Sequence, residues 1–203
     1  MTQRLTPIRV RADEVDRLAA EHGIRALLRL MGDNPDRPGL EDTPARVVKA
    51  YEELAARPGD PATLLSKQFA VEHSDSMVVV GPIGFTSICE HHLLPFVGEA
   101  WIAYIPGPGG TVVGLSKLPR LLHHFAARPQ VQERLTGQVT EAIETHLNPL
   151  GSACLVRSVH SCMSLRGVKA AGAKMTTSSL TGVFRQPEVR TEFLSLLNEG
   201  PRP

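Results

Sequence analysis

The sequence predicts an α+β fold in which a small antiparallel sheet carries helices on one side and a helical segment precedes the sheet. In the first third of the chain, apolar residues such as Val15, Leu18 and Leu27 recur at helical spacing. The middle third instead contains short runs rich in β-branched residues, which glycine and proline separate. Helices that cluster around a few strands are typical of α+β domains.

Helix start and stop signals place the helical elements. The N-terminal pattern ends at Gly32, and Gly23 is a candidate break inside it. Thr43 and Pro44 have the character of an N-cap and a first turn, so a second helix is expected to begin there. Later helices are expected over residues 128–147 and 187–197.

The strand-like runs cover residues 77–80, 85–88, 100–105, 153–159 and 175–180. So few strands would form a sheet with open edges, and open edges invite pairing with another chain. The pattern therefore favours an oligomer whose subunits cover these edges. We divide the chain into a helical N-terminal segment, residues 1–60, and an α+β domain, residues 61–203, which carries the candidate functional residues.

Length and composition exclude several classes of function. At 203 residues, 42% of them hydrophobic and 21% charged, the chain suits one globular domain with a substantial core. A net charge of +1 gives no electrostatic basis for binding nucleic acid or an anionic membrane. No apolar run approaches the length of a membrane span, and residues 1–4 lack the apolar region of a secretory signal. These features predict a cytoplasmic protein.

Two short segments carry residues that bind metals. Cys89 and His92 follow one strand-like run at i, i+3 spacing, so a turn can direct both side chains at one point. On a regular strand they would point to opposite faces, so the strand is expected to end near Cys89. Cys162 follows another run, and His91 and His160 lie beside these residues. Two thiols and one imidazole fit a zinc site with a vacant fourth position, which is typical of catalytic zinc.

The cysteines also have other interpretations. Cys154 lies within an apolar run and is expected to be a small buried hydrophobic residue. Cys89 and Cys162 could form a disulfide instead of binding a metal. Three cysteines would leave one unpaired, and no signal peptide indicates an oxidising compartment. Metal binding is therefore favoured, and the disulfide stays an alternative.

Other polar residues have an ordinary structural interpretation beside a functional one. Ser116 is a candidate helix N-cap, and Lys117 and Arg120 are candidate exposed residues of the first turn. Basic residues in that turn oppose the helix dipole, so their position also hints at an anionic ligand. Glu133 could form an ion pair with a neighbouring arginine of its own helix.

The longer motifs around these residues resemble GTP cyclohydrolase I. They are the run CEHHLLPF at residues 89–96, residues 103–106 and 114–117, the run RPQVQERL at residues 128–135, and residues 160–162 followed by residues 166–168. They stand in the family's order, and the resemblance extends from about Ala12 to Leu197. It implies the tunnelling fold, in which subunits join their sheets in a ring, and a homodecamer of two pentameric rings with active sites at subunit junctions.

The resemblance also implies an activity, the conversion of GTP to 7,8-dihydroneopterin triphosphate and formate, the first step toward pterins and tetrahydrofolate. Carried over by motif, Cys89, His92 and Cys162 would hold one zinc ion per subunit, which would activate water for attack at C8 of the guanine. His91 and His160 would transfer protons, because histidine titrates in the range that this task needs. Departures from the family's pattern at residues 76–82 and 157–159 leave open whether the product serves folate, another pterin or a deazapurine.

The same resemblance implies the substrate contacts. Glu133, together with Gln132, would accept hydrogen bonds from the N–H edge of guanine, which adenine does not offer. Ser116 would assist at the sugar. The other implied contacts are Leu115, and Lys117, Arg120 and Arg166 on the triphosphate. Arg46 and Lys49 share a helix face and on their own indicate a solvated basic edge. The resemblance implies that they reach the phosphates bound by a neighbouring subunit.

Two rival functions stay open. Another enzyme of the same fold, such as a pterin synthase or a deazaguanine nitrile reductase, would bind zinc through histidines without Cys162 or use a cysteine nucleophile without metal. The set of Cys89, His92 and Cys162 disfavours both. A structural-zinc or scaffold protein would need a fourth protein ligand, for which the motifs offer only His91 or His160.

Overall fold

The computed structural model describes residues 14–70 and 76–198 of the chain. The prediction made from residues 1–4 concerns a segment outside the described residues. Among the residues that are described, no helix is both long enough and apolar enough to span a membrane. The chain divides into two compact units, with the division after Ala55. The boundary that the sequence predicts, between residues 60 and 61, stays a prediction.

The first unit contains two helices, α1 (Glu14–Leu30) and α2 (Thr43–Leu54). α1 continues through Gly23, because one glycine inside a helix costs only about 1 kcal/mol relative to alanine. Gly32 follows the helix with a positive φ of 85°, as the predicted stop requires. α2 begins at Thr43, the residue at which the sequence predicts its start.

The second unit combines strands with short and medium-length helices. Its strands are β1 (Gln68–Ala70), β2 (Val78–Cys89), β3 (Pro95–Ile105), β4 (Thr111–Val113), β5 (Pro129–Gln130), β6 (Gly151–His160) and β7 (Met175–Leu180). Its helices are α3 (Pro61–Leu65), α4 (Lys117–Ala126), α5 (Gln132–Leu147), α6 (Ser161–Ser164) and α7 (Pro187–Asn198), with a 3₁₀ helix at Gly182–Arg185. The predicted α+β class is confirmed.

Five strands form the main sheet in the order β5-β2-β3-β6-β7. The β2–β3, β3–β6 and β6–β7 pairs are antiparallel, as the sequence predicts. The two-residue strand β5 runs parallel to β2. β1 and β4 form a separate antiparallel pair.

β2 joins two of the predicted runs into one strand. Gly81 and Pro82 lie between these runs, at a shift of register between Val80 and Ile83. Proline is tolerated at such an irregularity because the strand ladder is already interrupted there. A Cβ at Gly81 would lie 2.3 Å from the ring of Trp101, so the close packing at this point requires glycine.

α5 begins later than predicted, at Gln132. The residues just before it, Pro129 and Gln130, pair with Ile88 and Cys89 at the end of β2. This pairing holds the segment in an extended conformation, so the helix can start only after it. It also places the first turn of α5 beside the end of β2.

Helices lie on both faces of the main sheet, which corrects the prediction that they lie on one side. Ile102 of β3 belongs to a core cluster that contains Leu121 of α4 and Leu135 of α5. Trp101, the preceding residue, belongs to a second cluster that contains Phe193 of α7. A strand that is buried on both faces is apolar at every position, so its sequence does not indicate on which side a later helix packs.

The sheet brings two strand ends to one edge of the unit. β2 ends at Cys89 and β6 ends at His160. The start of β3 lies between them, since Pro95 pairs with Ile88 of β2 and Phe96 pairs with His160 of β6. Both candidate metal-binding segments therefore leave the sheet at the same edge.

Candidate metal centre and active site

Cys89 and His92 lie at the two ends of a tight turn that follows β2. The Leu93 N–H donates to the Cys89 carbonyl at 2.8 Å, and the Cys89 N–H donates to the Leu94 carbonyl at 2.9 Å. Leu93 has a positive φ of 53°, which helps to reverse the chain. The turn brings Cys89 Sγ to 3.9 Å from Nδ1 of His92. The predicted end of the strand near Cys89 is confirmed.

Cys162 approaches the same point from the other segment. It lies in α6, the short helix that begins immediately after β6. Its Sγ is 3.9 Å from Sγ of Cys89, although 73 positions separate the two residues in the sequence. One candidate ligand atom from each of Cys89, His92 and Cys162 lies within 4.8 Å of the other two. The structure therefore brings the predicted metal-binding residues together in one group, called here the Cys/His cluster.

The separation of the two sulfurs in the Cys/His cluster fits a tetrahedral zinc ion. Two sulfurs bound at about 2.3 Å to such an ion lie about 3.8 Å apart, and the observed separation is 3.9 Å. Burial, reinforced by the neighbouring Cys89, raises the pKa of the Cys162 thiol. A bound cation would offset this effect, since metal ligation requires the thiolate form. Among residues 14–70 and 76–198 the cluster comprises three protein ligands, the number typical of catalytic zinc.

The third cysteine, Cys154, is fully buried in β6, as the sequence predicts. Burial raises the pKa of its thiol, so Cys154 behaves as an apolar core residue. All three cysteines are free. The 3.9 Å between the sulfurs of Cys89 and Cys162 far exceeds the length of a disulfide, about 2.05 Å. The structure favours the metal site over the disulfide.

An ion pair that sequence reasoning missed ties the turn to α5. Nη1 and Nη2 of Arg134 donate to the two carboxylate oxygens of Glu90 at 2.5 and 3.2 Å. The guanidinium holds the pKa of Glu90 below its ordinary value. The Glu90 N–H also donates to the Gln130 carbonyl at 3.1 Å. Because the ion pair is bidentate, it restrains the orientation of the turn as well as its distance from α5.

His91 and His160, the predicted proton-transfer residues, lie beside the cluster in different surroundings. His91 is exposed, and its ring centre is 6.4 Å from that of His92. The His160 ring stacks on Phe96 with a centroid distance of 4.5 Å and an interplanar angle of 5°. Burial lowers the pKa of His160, and the charge of Glu133 opposes this effect.

Three predicted substrate contacts lie close to these residues. Glu133 is exposed in the first turn of α5 and is near enough to His160 to influence its pKa. Arg166 donates from Nη1 to Nε2 of His92 at 3.3 Å. Gln132, in contrast, is fully buried, and its side-chain oxygen lies 2.9 Å from Nε2 of His160. Glu133 and Arg166 are both exposed, whereas Gln132 is enclosed by protein groups.

Leu115, Ser116, Lys117 and Arg120 lie at the start of α4. Ser116 occupies the N-cap position, but its hydroxyl makes no capping hydrogen bond. Leu115 and Ser116 line a cavity of about 760 Å³ together with residues of β2. Of the described residues that line this cavity, none belongs to the Cys/His cluster.

Arg46 and Lys49 lie on an exposed face of α2 in the first unit. Arg46 pairs with Asp42 at 2.8 Å, and Lys49 Nζ lies 3.9 Å from a carboxylate oxygen of Glu53. Exposed pairs of this kind contribute about 1 kcal/mol or less to stability. Within their own unit, the two residues match a solvated basic edge, and their role in binding phosphate stays a prediction.

Sequence reasoning missed Glu90, Arg134 and Phe96 as residues that shape the site. All three lie inside the runs at residues 89–96 and 128–135 that carry the family resemblance. The sequence does offer a signal for Glu90. It is a carboxylate next to a candidate metal ligand, and a carboxylate with a fixed position there needs a cationic or hydrogen-bonding partner. The stacking of Phe96 on His160 depends on the register of β3 and β6, which no local pattern indicates.

The fold and the site together define the class of protein, an α+β enzyme with a candidate metal centre of the catalytic type. The family model described as GTP cyclohydrolase I matches residues 20–198, which is most of the chain. The chain belongs to the GTP cyclohydrolase I family.

Similar proteins agree with this assignment. A GTP cyclohydrolase 1 of Desulforamulus reducens is 48% identical over 179 residues, which cover 87% of this chain and 95% of that protein. One from Pelotomaculum thermopropionicum is 47% identical over 184 residues, or 90% of this chain and 97% of that protein. One from Rhodopirellula baltica is 47% identical over 188 residues, or 92% and 81%. The similarity therefore extends over nearly the whole chain.

Proposed function

We propose that this chain is a zinc-dependent GTP cyclohydrolase I. The enzyme hydrolyses GTP at C8 of the guanine and rearranges it to 7,8-dihydroneopterin triphosphate with release of formate, the first step toward pterins and tetrahydrofolate. The observation that carries the proposal is the grouping of Cys89, His92 and Cys162 within 4.8 Å, in a chain of this family.

The cofactor is one zinc ion per subunit, held by Cys89, His92 and Cys162. A zinc ion in such a site lowers the pKa of a bound water to about 7. The protein's own contribution is to hold the ligands in place before the metal arrives. The turn at Leu93 and the ion pair between Glu90 and Arg134 support this role, since both restrain the segment that carries two of the ligands.

His91 and His160 transfer protons. Opening the imidazole ring of guanine requires protons at the ring nitrogens as their bonds to C8 break, and histidine can supply and recover protons near neutral pH. Two observations support a division of labour. His91 is exposed, with its Nε2 3.9 Å from a carboxylate oxygen of Glu90, while His160 is held in one orientation by Phe96 and Gln132.

The substrate contacts are carried over from the family resemblance. The Glu133 carboxylate accepts hydrogen bonds from the N–H edge of guanine. Ser116 acts at the sugar, and the lack of a capping hydrogen bond from its hydroxyl to α4 supports that role. The remaining contacts are Leu115 at the nucleotide, Lys117, Arg120 and Arg166 at the triphosphate, and Arg46 and Lys49 at the phosphates of a neighbouring subunit.

Glu133→Gln is expected to weaken GTP binding, raising the Kd by about 10- to 100-fold, because a hydrogen bond to a charged group contributes about 1.5–3 kcal/mol. Equilibrium binding of GTP and ATP to the zinc-loaded protein measures the effect. The matched control is Glu141→Gln, an exposed glutamate on the same helix, which is expected to bind GTP normally. A Glu133 variant with unchanged preference for GTP over ATP would remove Glu133 from guanine recognition.

The assembly that we propose is a homodecamer of two pentameric rings, in which subunits join their tunnelling-fold sheets. Its support is the position of β7 at one edge of the main sheet, where only β6 pairs with it among the described strands. Sedimentation equilibrium is expected to give a mass of ten chains of 22.0 kDa, and a monomer at micromolar concentration would refute the assembly. A cytoplasmic location stays a prediction from the sequence.

Incubation of the purified full chain with GTP tests the function. Formate release and the fluorescence of oxidised neopterin are the expected products, with ATP as the substrate control. Metal analysis of the same protein is expected to find zinc. Metal-free protein that leaves GTP unchanged would indicate the reductase type of chemistry, and zinc-loaded protein that leaves GTP unchanged would indicate a structural or scaffold role.

A further inference from the structure

We propose that Gln132 is a positioning residue that holds His160 in the tautomer with its proton on Nε2, and that it acts through His160 rather than by contact with guanine. The inference rests on the proton-transfer role proposed above for His160. It replaces the substrate contact that the family resemblance implies for Gln132.

The first step of the argument is the orientation of the Gln132 amide. One end of the amide lies 3.1 Å from the backbone carbonyl of Val156 and 3.1 Å from that of Met175. Backbone carbonyls can only accept hydrogen bonds, so this end must be the NH₂ group. Gln132 is 1% exposed, so its amide has no solvent to turn toward. The side-chain oxygen therefore points to the other set of partners.

The second step is the proton on His160. Oε1 of Gln132 lies 2.6 Å from the Ser158 hydroxyl and 2.9 Å from Nε2 of His160. An amide oxygen only accepts, so both neighbours must donate, and Nε2 of His160 carries a proton. In the neutral ring, Nδ1 is then the nitrogen that can accept a proton.

The neighbouring hydroxyls agree with this orientation. Thr136 Oγ1 donates to the backbone carbonyl of Gln132 at 2.6 Å, so at 2.7 Å it accepts from Thr177. The Thr177 oxygen is then free to accept from Nε2 of Gln132 at 3.2 Å. The direction of each contact is then consistent, with the two N–H groups of the Gln132 amide shared among the two carbonyls and the Thr177 oxygen. The stacking of Phe96 on His160 restrains the plane of the ring. Both the ring plane and the position of its proton are thus set by the protein.

The consequence for the reaction follows from how histidine transfers protons. A general base must present an unprotonated nitrogen to the substrate, and the wrong tautomer presents an N–H there instead. In serine proteases, loss of the residue that sets the tautomer lowers kcat by about 10⁴. In that case the replacement enforced the wrong tautomer, whereas methionine at position 132 would enforce neither, so a smaller loss is expected.

The kinetic test compares Gln132→Met, which removes the hydrogen bonds with little change in volume, with Thr140→Val. Thr140 is a buried residue of the same helix whose hydroxyl contacts Ser179 at 2.7 Å, so the control removes a comparable buried hydrogen bond on α5. We expect Gln132→Met to lower kcat by about 10- to 100-fold with the KM for GTP within about twofold, and Thr140→Val to change neither. A raised KM with unchanged kcat would overturn the inference in favour of a substrate contact.

A double-mutant cycle distinguishes positioning from general damage. If Gln132 acts through His160, Gln132→Met has no further effect on kcat in a His160→Ala background. Equal losses of kcat in both backgrounds would overturn the inference.

A spectroscopic test measures the tautomer of His160 in protein that keeps Gln132, so it does not depend on whether a Gln132 variant folds. Solid-state NMR of sedimented full chain at pH 8, labelled with ¹⁵N-histidine, is expected to show His160 protonated on Nε2, with its signals assigned by their loss in His160→Ala. Protonation on Nδ1 alone overturns the inference and leaves the GTP assay of the proposed function unaffected. Conversely, wild-type protein that shows the Nε2 tautomer but releases no formate refutes the proposed function and, with it, the catalytic purpose of the positioning.

Discussion

Replacing Cys162 with alanine is expected to remove the metal and the turnover of GTP together. The Sγ of Cys162 lies 3.9 Å from that of Cys89, and the two sulfurs are two of the three ligands in the cluster. Cys89 and His92 alone offer two ligands, fewer than catalytic zinc sites retain. Zinc content, measured by plasma mass spectrometry after dialysis, should fall from about one ion per subunit to near zero, and formate release should fall below detection.

The matched control for this prediction is Cys154→Ala. Cys154 is fully buried in the same strand that leads to Cys162, but it belongs to the core and not to the cluster. This variant is expected to keep its zinc, so a loss of metal specific to Cys162→Ala cannot be attributed to the loss of any thiol. A Cys162→Ala protein that retains stoichiometric zinc would show that the cluster has been assigned wrongly.

Replacing His91 with alanine is expected to leave the zinc content unchanged and to slow turnover by about 10²-fold or more, the usual effect of losing a positioned acid–base group. His91 lies in the turn next to His92 but is not one of the three residues whose ligand atoms converge. Its ring is exposed, so its removal leaves no buried cavity. Single-turnover kinetics of the zinc-loaded protein, with metal analysis of the same sample, measures both effects.

The neighbouring residue provides the comparison, because His92→Ala is expected to lose the metal. The two histidines are adjacent in sequence, but the turn directs only His92 toward the cluster, where its Nδ1 lies 3.9 Å from Sγ of Cys89. If the His91 variant lost zinc while the His92 variant kept it, the roles of the pair would be reversed.

Local patterns predicted several elements of the fold well. The strand β7 covers Met175–Leu180, the residues of the predicted Thr/Ser-rich strand, and α2 begins at Thr43, where the helix start signals stand. The same patterns failed where a distant segment decided the conformation. Pro129 and Gln130 form β5 because the end of β2 pairs with them, and α7 covers the face of the sheet that the sequence leaves unassigned.

For the site, the residue types and spacings favoured metal binding at Cys89, His92 and Cys162 over a disulfide and predicted Cys154 in the core, and the family resemblance then indicated these three as the ligands. Cys89 and His92 are three residues apart, so a single turn can direct both side chains at one point. The substrate and proton-transfer roles came from the family resemblance and stay predictions.

The sequence by itself therefore determined the α+β class, the end of β2 near Cys89, and the side chains able to bind a metal, because each of these depends on neighbours within a turn or a strand. Only the tertiary structure decided which distant groups meet. It placed Cys162 against Cys89 across 73 positions, paired Arg134 with Glu90 rather than with its neighbour Glu133, and enclosed Gln132 beside His160. These contacts depend on the register of β3 with β6 and on the packing of α5, which are set by the sum of many weak long-range interactions and leave no local signature.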